Sequence, residues 1–218
     1  MIDVRRRRIS MGAIACVLSV AAGGRGLLDP TPGETPGPFY PRQLPLDDDS
    51  DLTQVVGRAG RASGKIGDLD GRLLNINGEP VPYTRIEIWQ CDANGRYHHP
   101  WDRGLDAADP RFQGHGHSVT DRDGRYRFRT IRPVPYPGRT PHIHFAVVPR
   151  GLRPFTTQLY IAGEPLNNRD PLYRRIPVTA RRLVIAEFLP AETEGTDFRV
   201  TYDIVLATPA RGTVRNQF

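Results

Sequence analysis

The segment PYPGRTPHIHF, residues 135–145, contains the side chains of this sequence that are best suited to binding a metal ion. Residues two apart on a β-strand point to the same side, so His142 and His144 are expected to project together. Two imidazoles placed in this way can bind one metal ion. An H-x-H pair alone is also compatible with an ordinary polar sheet face, because histidine is common at half-buried positions.

Tyr136 and Arg139 precede this pair and narrow the choice of metal ion that the segment could bind. The stretch PYPG, with two prolines and a glycine, predicts a turn that can bring Tyr136 over the same face as the histidines. A phenol has an ordinary pKa of about 10, so it binds as a phenolate only where a strongly acidic ion replaces its proton. Ferric iron is such an ion, whereas zinc and ferrous sites favour other ligand sets. If Tyr136 is a ligand, it selects ferric iron.

Tyr97 is a candidate for a further anionic ligand. It stands in NGRYHHP, at the end of a turn and before the stretch 98–117, which shows no strand or helix pattern. Loops of that length in small domains are usually functional or disordered. The alternative interpretation is an ordinary tyrosine at the end of a strand.

The long stretch also holds four of the six histidines of the chain. His115 and His117, in QGHGH, form a second H-x-H pair. The neighbouring glycines predict a flexible segment, so we expect these two at the rim of the site or in solvent. His98 and His99 are expected to point away from the metal or toward the substrate.

Short runs rich in β-branched and aromatic residues begin near residue 66 and predict an all-β domain. The runs are GRLLNI, TRIEIWQC, RYRFRTI, HIHFAVV, TQLYI, RLVIAEFL and FRVTYDIVL. Several alternate with period two, and turn signals such as CDANG and TDRDG separate them. We expect an antiparallel β-sandwich with long active-site loops, with a Greek-key barrel as the alternative.

The ends of the chain are predicted to lie outside this domain. Residues 1–22 combine four arginines with an uncharged apolar run, which is typical of an export signal, and the paired arginines resemble a twin-arginine signal. A disordered basic tail is the alternative. Residues 23–65 predict an extended arm, 66–207 the β-sandwich and 208–218 a tail. We therefore expect a periplasmic or secreted protein with no stable membrane anchor.

The charge of the chain does not favour nucleic acid as a partner. Residues 1–22 carry four arginines and one aspartate, so removing them lowers the net charge from +6 to +3. The later arginines are scattered rather than clustered on one segment. Cys91 is then the one remaining cysteine, which excludes an intramolecular disulfide framework.

Four segments resemble the intradiol ring-cleavage dioxygenases, in particular their protocatechuate 3,4-dioxygenase branch. They are TPGPFYP, IEIWQCDANGRYHHP, TDRDGRYRFRTIRPVPYPGRTPHIHF and TTQLYIAG, and they occur in the order of that family between about Thr35 and Leu206. The resemblance implies a non-haem ferric ion in a β-sandwich. The ligands that it implies are Tyr97, Tyr136, His142 and His144.

The same resemblance implies a reaction. A protocatechuate-like catechol would bind as a dianion, and O2 would cleave its ring between the two hydroxyl-bearing carbons to give a muconate-type diacid. Tyr136 would dissociate from the metal and take up a catechol proton. Arg139 would stabilise the anionic substrate, and Gln158 would line the pocket. Only PGRTP separates Tyr136 from His142, a shorter segment than in the familiar protocatechuate enzymes, so the substrate stays open.

Two other classes of protein stay open on the sequence alone. A non-catalytic secreted β-sandwich that binds a carbohydrate or a protein would contain the same strands, and a zinc hydrolase is a third choice. The oligomeric state is open as well. Members of the family assemble in several ways, so a homo-oligomer is compatible with the sequence.

Overall fold

The structure, a computed structural model, describes residues 26–45, 47–104, 106–149 and 153–207. The predicted export signal and the predicted C-terminal tail lie outside the described residues. In these described ranges, ten strands form two five-stranded sheets that pack around one hydrophobic core, which confirms the predicted all-β sandwich. The strands are β1 (Ile66–Asn75), β2 (Arg85–Trp89), β3 (His115–Val119), β4 (Arg125–Ile131), β5 (His142–Val148), β6 (Phe155–Ile161), β7 (Ile185–Ala186), β8 (Leu189–Pro190), β9 (Phe198–Thr201) and β10 (Ile204–Leu206).

Both sheets are mixed rather than purely antiparallel. In the first sheet, β1 pairs antiparallel with β4 and parallel with β9 and β10, while β8 pairs with β9. The second sheet has the order β3-β2-β5-β6-β7, and its β6–β7 pair is parallel. Because a parallel pair needs a crossover connection, the chain between β6 and β7 must leave the sheet and return.

RLVIAEFL is not the single strand predicted, because it contains the end of a helix, β7 and the first residue of β8. Short helices make the crossover between β6 and β7. They are a 3-10 helix at Pro165–Arg169, α1 at Pro171–Arg175 and a 3-10 helix at Val178–Leu183. A proline opens each of the first two, and Pro177 is the N-cap of the third. Proline fixes φ near the helical value and lacks the N–H that the first turn leaves unpaired, so it favours helix starts at these positions.

The alternation along β5 separates the core from a polar layer. Ile143, Phe145 and Val147 belong to the hydrophobic core between the sheets. His142 and His144 therefore lie on the opposite face of the second sheet. Both are nevertheless buried, with exposed fractions of 1% and 2%.

The arm that precedes β1 helps to cover this polar face. The Glu34 N–H donates to the Thr156 carbonyl at 2.8 Å, which ties the arm to β6. Further along the arm, the ring of Phe39 stacks on that of Tyr97 with centroids 4.5 Å apart. The layer between arm and sheet can therefore hold polar side chains away from water. Among the described residues, no helix has the length and apolar character needed to cross a bilayer.

Gly71 on β1 is required by a close approach of two backbones. A Cβ added at Gly71 would lie 1.8 Å from the carbonyl oxygen of Tyr202. Gly71→Ala is therefore expected to destabilise the protein by at least about 2 kcal/mol, since overpacking against a rigid backbone forces the strands apart. Urea unfolding measures this change. Gly26→Ala, where the added Cβ meets nothing within 4 Å, is the matched control, and equal effects of the two substitutions would contradict the packing argument.

Glu87 on β2 links the arm to the second sheet. The Tyr40 hydroxyl donates to Glu87 Oε2, and Arg85 Nε donates to Glu87 Oε1, both at 2.7 Å. Burial alone would raise the pKa of Glu87, but the contacts with His115, Arg85 and Tyr40 lower it to about 2. The ionised carboxylate is therefore the form that the folded protein stabilises.

Because this folded-state pKa lies below the ordinary value of 4.5, Glu87 contributes stability above about pH 4.5 that is lost as the pH falls toward 2. Glu87→Gln is expected to cost about 1–3 kcal/mol at pH 7. The difference from the wild-type protein should shrink in unfolding curves recorded below pH 4.5. Glu187→Gln, at an exposed position, is the control. A cost for Glu87→Gln that does not change with pH would contradict the assignment.

Candidate metal centre

The register of the second sheet fixes the surroundings of the histidine pair. His142 lies opposite Tyr160 of β6, and His144 lies between Gln158 of β6 and Trp89 of β2. The His144 ring stacks on the Trp89 indole with centroids 4.7 Å apart and an interplanar angle of 7°. Each imidazole is therefore held by neighbours that the strand pairing places beside it.

The two imidazoles direct their Nε2 atoms at each other. The distance between these atoms is 3.1 Å. The Nδ1 atom of His142 lies 2.7 Å from the Thr140 carbonyl, which requires a proton on Nδ1 and leaves a lone pair on Nε2. A separation of this size is compatible with both nitrogens binding one metal ion at the usual length of about 2.0–2.1 Å.

Burial keeps both imidazoles neutral. It lowers the pKa of His142 to about 3, with Arg139 contributing. It also lowers the pKa of His144 well below the ordinary value, and His142 and Arg139 add to that effect. Since a metal binds the neutral ring, the pair needs no deprotonation before it binds a metal ion.

The phenol of Tyr97 lies close to the histidine pair. Its ring centroid lies 6.3 Å from that of His144 and 5.4 Å from that of Tyr136. The backbone N–H of Tyr97 donates to Asp102 Oδ2 at 2.6 Å, which anchors the residue at the start of its loop. The phenol oxygen is buried and has no hydrogen-bond partner among the described residues. Burial, followed by the proximity of Tyr136, raises its pKa well above 10, so a cation is needed to ionise it.

Tyr136 reaches the site through the predicted turn. The Arg139 N–H donates to the Tyr136 carbonyl at 2.9 Å, and Gly138 takes a φ of +80°, which a type II turn requires of its third residue. The Tyr136 ring centroid lies 5.5 Å from that of His142. Burial raises the pKa of this phenol, and Arg139 opposes the shift.

The four side chains fit a hard, highly charged cation. Two neutral imidazoles supply lone pairs, and the partnerless oxygen of Tyr97 would gain a partner by binding the ion as phenolate. Among the described residues, no group of three or more His, Cys, Asp or Glu side chains could hold a metal. The phenols of Tyr97 and Tyr136 are further oxygen groups close to the histidine pair, and a donor set of this kind would suit ferric iron.

Arg139 is clamped beside the cluster by three contacts. Its Nε donates to Asp170 Oδ2 at 2.8 Å, and its Nη2 donates to Gln158 Oε1 at 2.6 Å. Its Nη1 lies 3.3 Å from the Tyr136 hydroxyl. The sequence predicted Arg139 and Gln158 as site residues and missed Asp170. The signal for Asp170 was present in DPLYRR, because aspartate before proline is a common helix start, and Asp170 is the N-cap of α1.

A cavity of about 210 Å³ opens beside Tyr136 and Arg139. Leu166 contributes an apolar wall, and the exposed Arg169 contributes a positive charge. The volume is below the roughly 300–1,000 Å³ of sites for drug-sized ligands, which suits a single-ring molecule.

The second H-x-H pair is not in a flexible segment, which corrects the sequence interpretation. His115 opens β3, pairs with Trp89 of β2 and is buried. The flanking glycines accommodate close packing instead of flexibility, because a Cβ at Gly116 would lie 2.2 Å from the Asp49 carbonyl. His117 is half-buried, with Nδ1 2.6 Å from the Asp48 carbonyl. His98 is exposed and His99 is buried.

The β-sandwich and its cluster of two tyrosines and two histidines are typical of non-haem metal oxygenases that use phenolate ligands. Residues 35–208 match the family model described as Dioxygenase. The chain belongs to the intradiol ring-cleaving dioxygenase family.

Particular relatives agree with this assignment. The chain is 40% identical over 175 residues to a protocatechuate 3,4-dioxygenase beta chain from Burkholderia cepacia, covering 74% of each protein. It is 32% identical over 165 residues to a hydroxyquinol 1,2-dioxygenase from Rhodococcus opacus, covering 67% of this chain and 51% of that protein. The chain thus spans about half the length of the hydroxyquinol enzyme.

A solved structure with the same fold is the dioxygenase domain of a dioxygenase carbohydrate-binding protein fusion from Streptomyces sp. SirexAA-E. The TM-score is 0.64 at 29% identity, and the match covers 83% of this chain and 100% of that one.

The cluster predicts how metal content responds to substitution. Tyr97→Phe and His144→Ala are each expected to abolish an equimolar iron content after dialysis, because each would remove one of the four expected donors. Elemental analysis of the folded variants measures this. Tyr83→Phe, at an exposed tyrosine, should keep its iron. Full iron in the Tyr97 and His144 variants would show that the ion binds elsewhere.

Proposed function

We propose that the protein is a non-haem Fe(III) dioxygenase that cleaves the ring of a catechol between its two hydroxyl-bearing carbons. The observation that carries the proposal is the meeting of two neutral Nε2 atoms, 3.1 Å apart, with the phenols of Tyr97 and Tyr136. Membership of the intradiol family supports it independently.

Tyr97, Tyr136, His142 and His144 would hold the iron. Ferric iron, when bound there, supplies the Lewis acidity that stabilises phenolates and makes a chelated catechol dianion reactive toward O2. The protein contributes preorganised donors, since strand pairing, the turn before β5 and the arm already hold all four side chains.

Tyr136 is suited to accept a proton from the substrate. It is less buried than Tyr97 and borders the cavity, so its side chain can move where that of Tyr97 cannot. The Arg139 guanidinium beside its hydroxyl favours the phenolate until that proton arrives. Arg139 is already fixed by Asp170 and Gln158, and it can therefore stabilise an anionic substrate without reorganising.

The overall reaction balances without an added reductant. The carbon–carbon bond between the two oxygenated carbons breaks, and each carbon gains one atom of O2. The catechol supplies all four electrons that O2 takes up, and the product is a muconate-type diacid.

The cavity favours a catechol that carries an anionic substituent, such as a protocatechuate-like substrate. Arg139, Arg169 and Asp170 line the cavity, so its charged side chains remain net positive although Asp170 pairs with Arg139, and Leu166 provides a surface for the ring. The relation to a protocatechuate 3,4-dioxygenase beta chain supports the same substrate class.

The proposal predicts colour and a specific product. The iron-loaded protein should show visible charge-transfer absorption from phenolate to iron. With protocatechuate or catechol it should consume equimolar O2 and give the intradiol product, identified by mass spectrometry with ¹⁸O2. A colourless, zinc-containing protein that takes up no O2 with any catechol would contradict the proposal and favour a binding module or a hydrolase.

Arg169 provides a separate test of the substrate class. Arg169→Ala should raise KM for protocatechuate about fivefold, the size expected for one exposed charge contact, and should change KM for unsubstituted catechol little. Arg175→Ala, at an exposed arginine outside the cavity lining, is the matched control. An equal rise in KM for both substrates would exclude charge recognition by Arg169.

A further inference from the structure

Glu34 of the arm reaches the metal centre through a chain of hydrogen bonds that the proposed reaction does not use. The Tyr160 hydroxyl donates to Glu34 Oε2 at 2.7 Å, and the same hydroxyl lies 3.2 Å from Gln158 Oε1. Gln158 Oε1 is also the acceptor of the 2.6 Å bond from Arg139. Glu34 is thus connected to Arg139 by Tyr160 and Gln158.

We propose that Glu34 is a positioning residue: by accepting the proton of the Tyr160 hydroxyl, it reserves the Gln158 carbonyl for Arg139. The proposal rests on the function proposed above, because it concerns the orientation of the guanidinium beside Tyr136.

Removing Glu34 would change the acceptor that the Tyr160 hydroxyl uses. A tyrosine hydroxyl donates a single hydrogen bond, and the Tyr160 ring is fully buried, so only its O–H can turn. Two acceptors lie within reach, and Glu34 is the nearer by 0.5 Å. With Glu34 present the proton goes to the carboxyl group. Without it, the proton turns to Gln158 Oε1, which then accepts fully from both Tyr160 and Arg139 and holds the guanidinium less tightly.

The arm also sets the orientation of the Gln158 amide. Gln158 Nε2 donates to the Thr35 carbonyl at 3.3 Å, which turns Oε1 toward Arg139. The Glu34 N–H bond to Thr156 holds the same part of the arm on β6. The neighbouring arm residues Glu34 and Thr35 therefore influence both ends of the Gln158 amide: Thr35 binds its nitrogen, and Glu34 acts on its oxygen through Tyr160.

The placement of Glu34 is costly for stability alone. Its Oε1 atom is buried with no hydrogen-bond partner among the described residues. Burial raises the pKa of Glu34 to about 7, although Tyr160 and Arg139 oppose the shift. A buried polar group without a hydrogen-bond partner often has a functional role. The hydrogen bond from Tyr160 requires an acceptor at position 34 but not a full charge. A glutamine amide can therefore replace the Glu34 carboxyl group.

The test compares Glu34→Leu, which removes the acceptor, with Glu34→Gln, which keeps it. Glu34→Leu should lower kcat about tenfold, the size expected when one hydrogen bond to a charged group is weakened, with a smaller change in KM. Glu34→Gln should restore most of that loss. Adding Tyr160→Phe to Glu34→Leu should also restore the rate, because the competing proton is then gone. Glu187→Leu is the matched control at an exposed glutamate.

A second readout does not depend on activity. In crystals of Glu34→Leu, the contact between Arg139 and Gln158 should be longer than in the wild-type protein, and in crystals of the double variant it should return to the wild-type length. Wild-type protein that neither binds iron nor cleaves catechols would refute the proposed function, while these crystals would still test the network.

The inference is overturned if Glu34→Leu keeps the wild-type kcat and an unchanged contact between Arg139 and Gln158. It is overturned equally if Glu34→Gln is as slow as Glu34→Leu, or if Tyr160→Phe adds to the loss. Should Glu34→Leu fail to fold, Glu34→Ala is compared in the same way with the double variant that combines Glu34→Ala and Tyr160→Phe.

Discussion

The rest of the metal centre depends on one contact. On β5, the Nε2 atoms of two neutral imidazoles face each other. A distance of 3.1 Å between two lone-pair acceptors is unfavourable unless a proton or a cation lies between them. The alternation of β5 aims both rings at one face, and the neighbouring strands fix the rings through Trp89 and Gln158. Without a metal, a proton on Nε2 of His144 can bridge the two rings, and a cation bound there would replace that proton.

Exclusion of water from the cluster of two histidines and two tyrosines would restrict the metal ions that it can bind. The arm, the turn before β5 and the loop after Tyr97 cover the polar face of the second sheet. Burial is the largest cause of the pKa shifts of both histidines and of Tyr97 and Tyr136. It keeps the imidazoles neutral and the phenols protonated when no ion is present. The proposed ferric ion fits these surroundings, because an ion acidic enough to displace phenolic protons would satisfy all four groups.

Local patterns allowed part of this site to be predicted. The period-two alternation of HIHF predicted the direction of both histidines, and PYPG predicted the turn that carries Tyr136. The sandwich followed from the strand runs. The four donors were proposed as a set because of the family resemblance, since the spacing between Tyr97 and β5 says nothing about their distance in space.

The errors share a physical cause, which is tertiary contact overriding local signals. The glycines beside His115 predicted flexibility, yet they permit close backbone packing in β3. RLVIAEFL has strand-like composition, but it is divided between β7, which pairs with β6, and the start of β8, which pairs with β9. Asp170 contacts Arg139, and Glu34 contacts Tyr160, across long sequence separations, so no local pattern connects these partners.

X-ray diffraction from crystals of the iron-loaded protein, recorded on both sides of the iron absorption edge, tests the central claim most directly. The account predicts one strong anomalous peak per chain, within bonding distance of the Nε2 atoms of His142 and His144 and of the phenol oxygens of Tyr97 and Tyr136. A peak at any other position, or none beside the histidine pair, would contradict it.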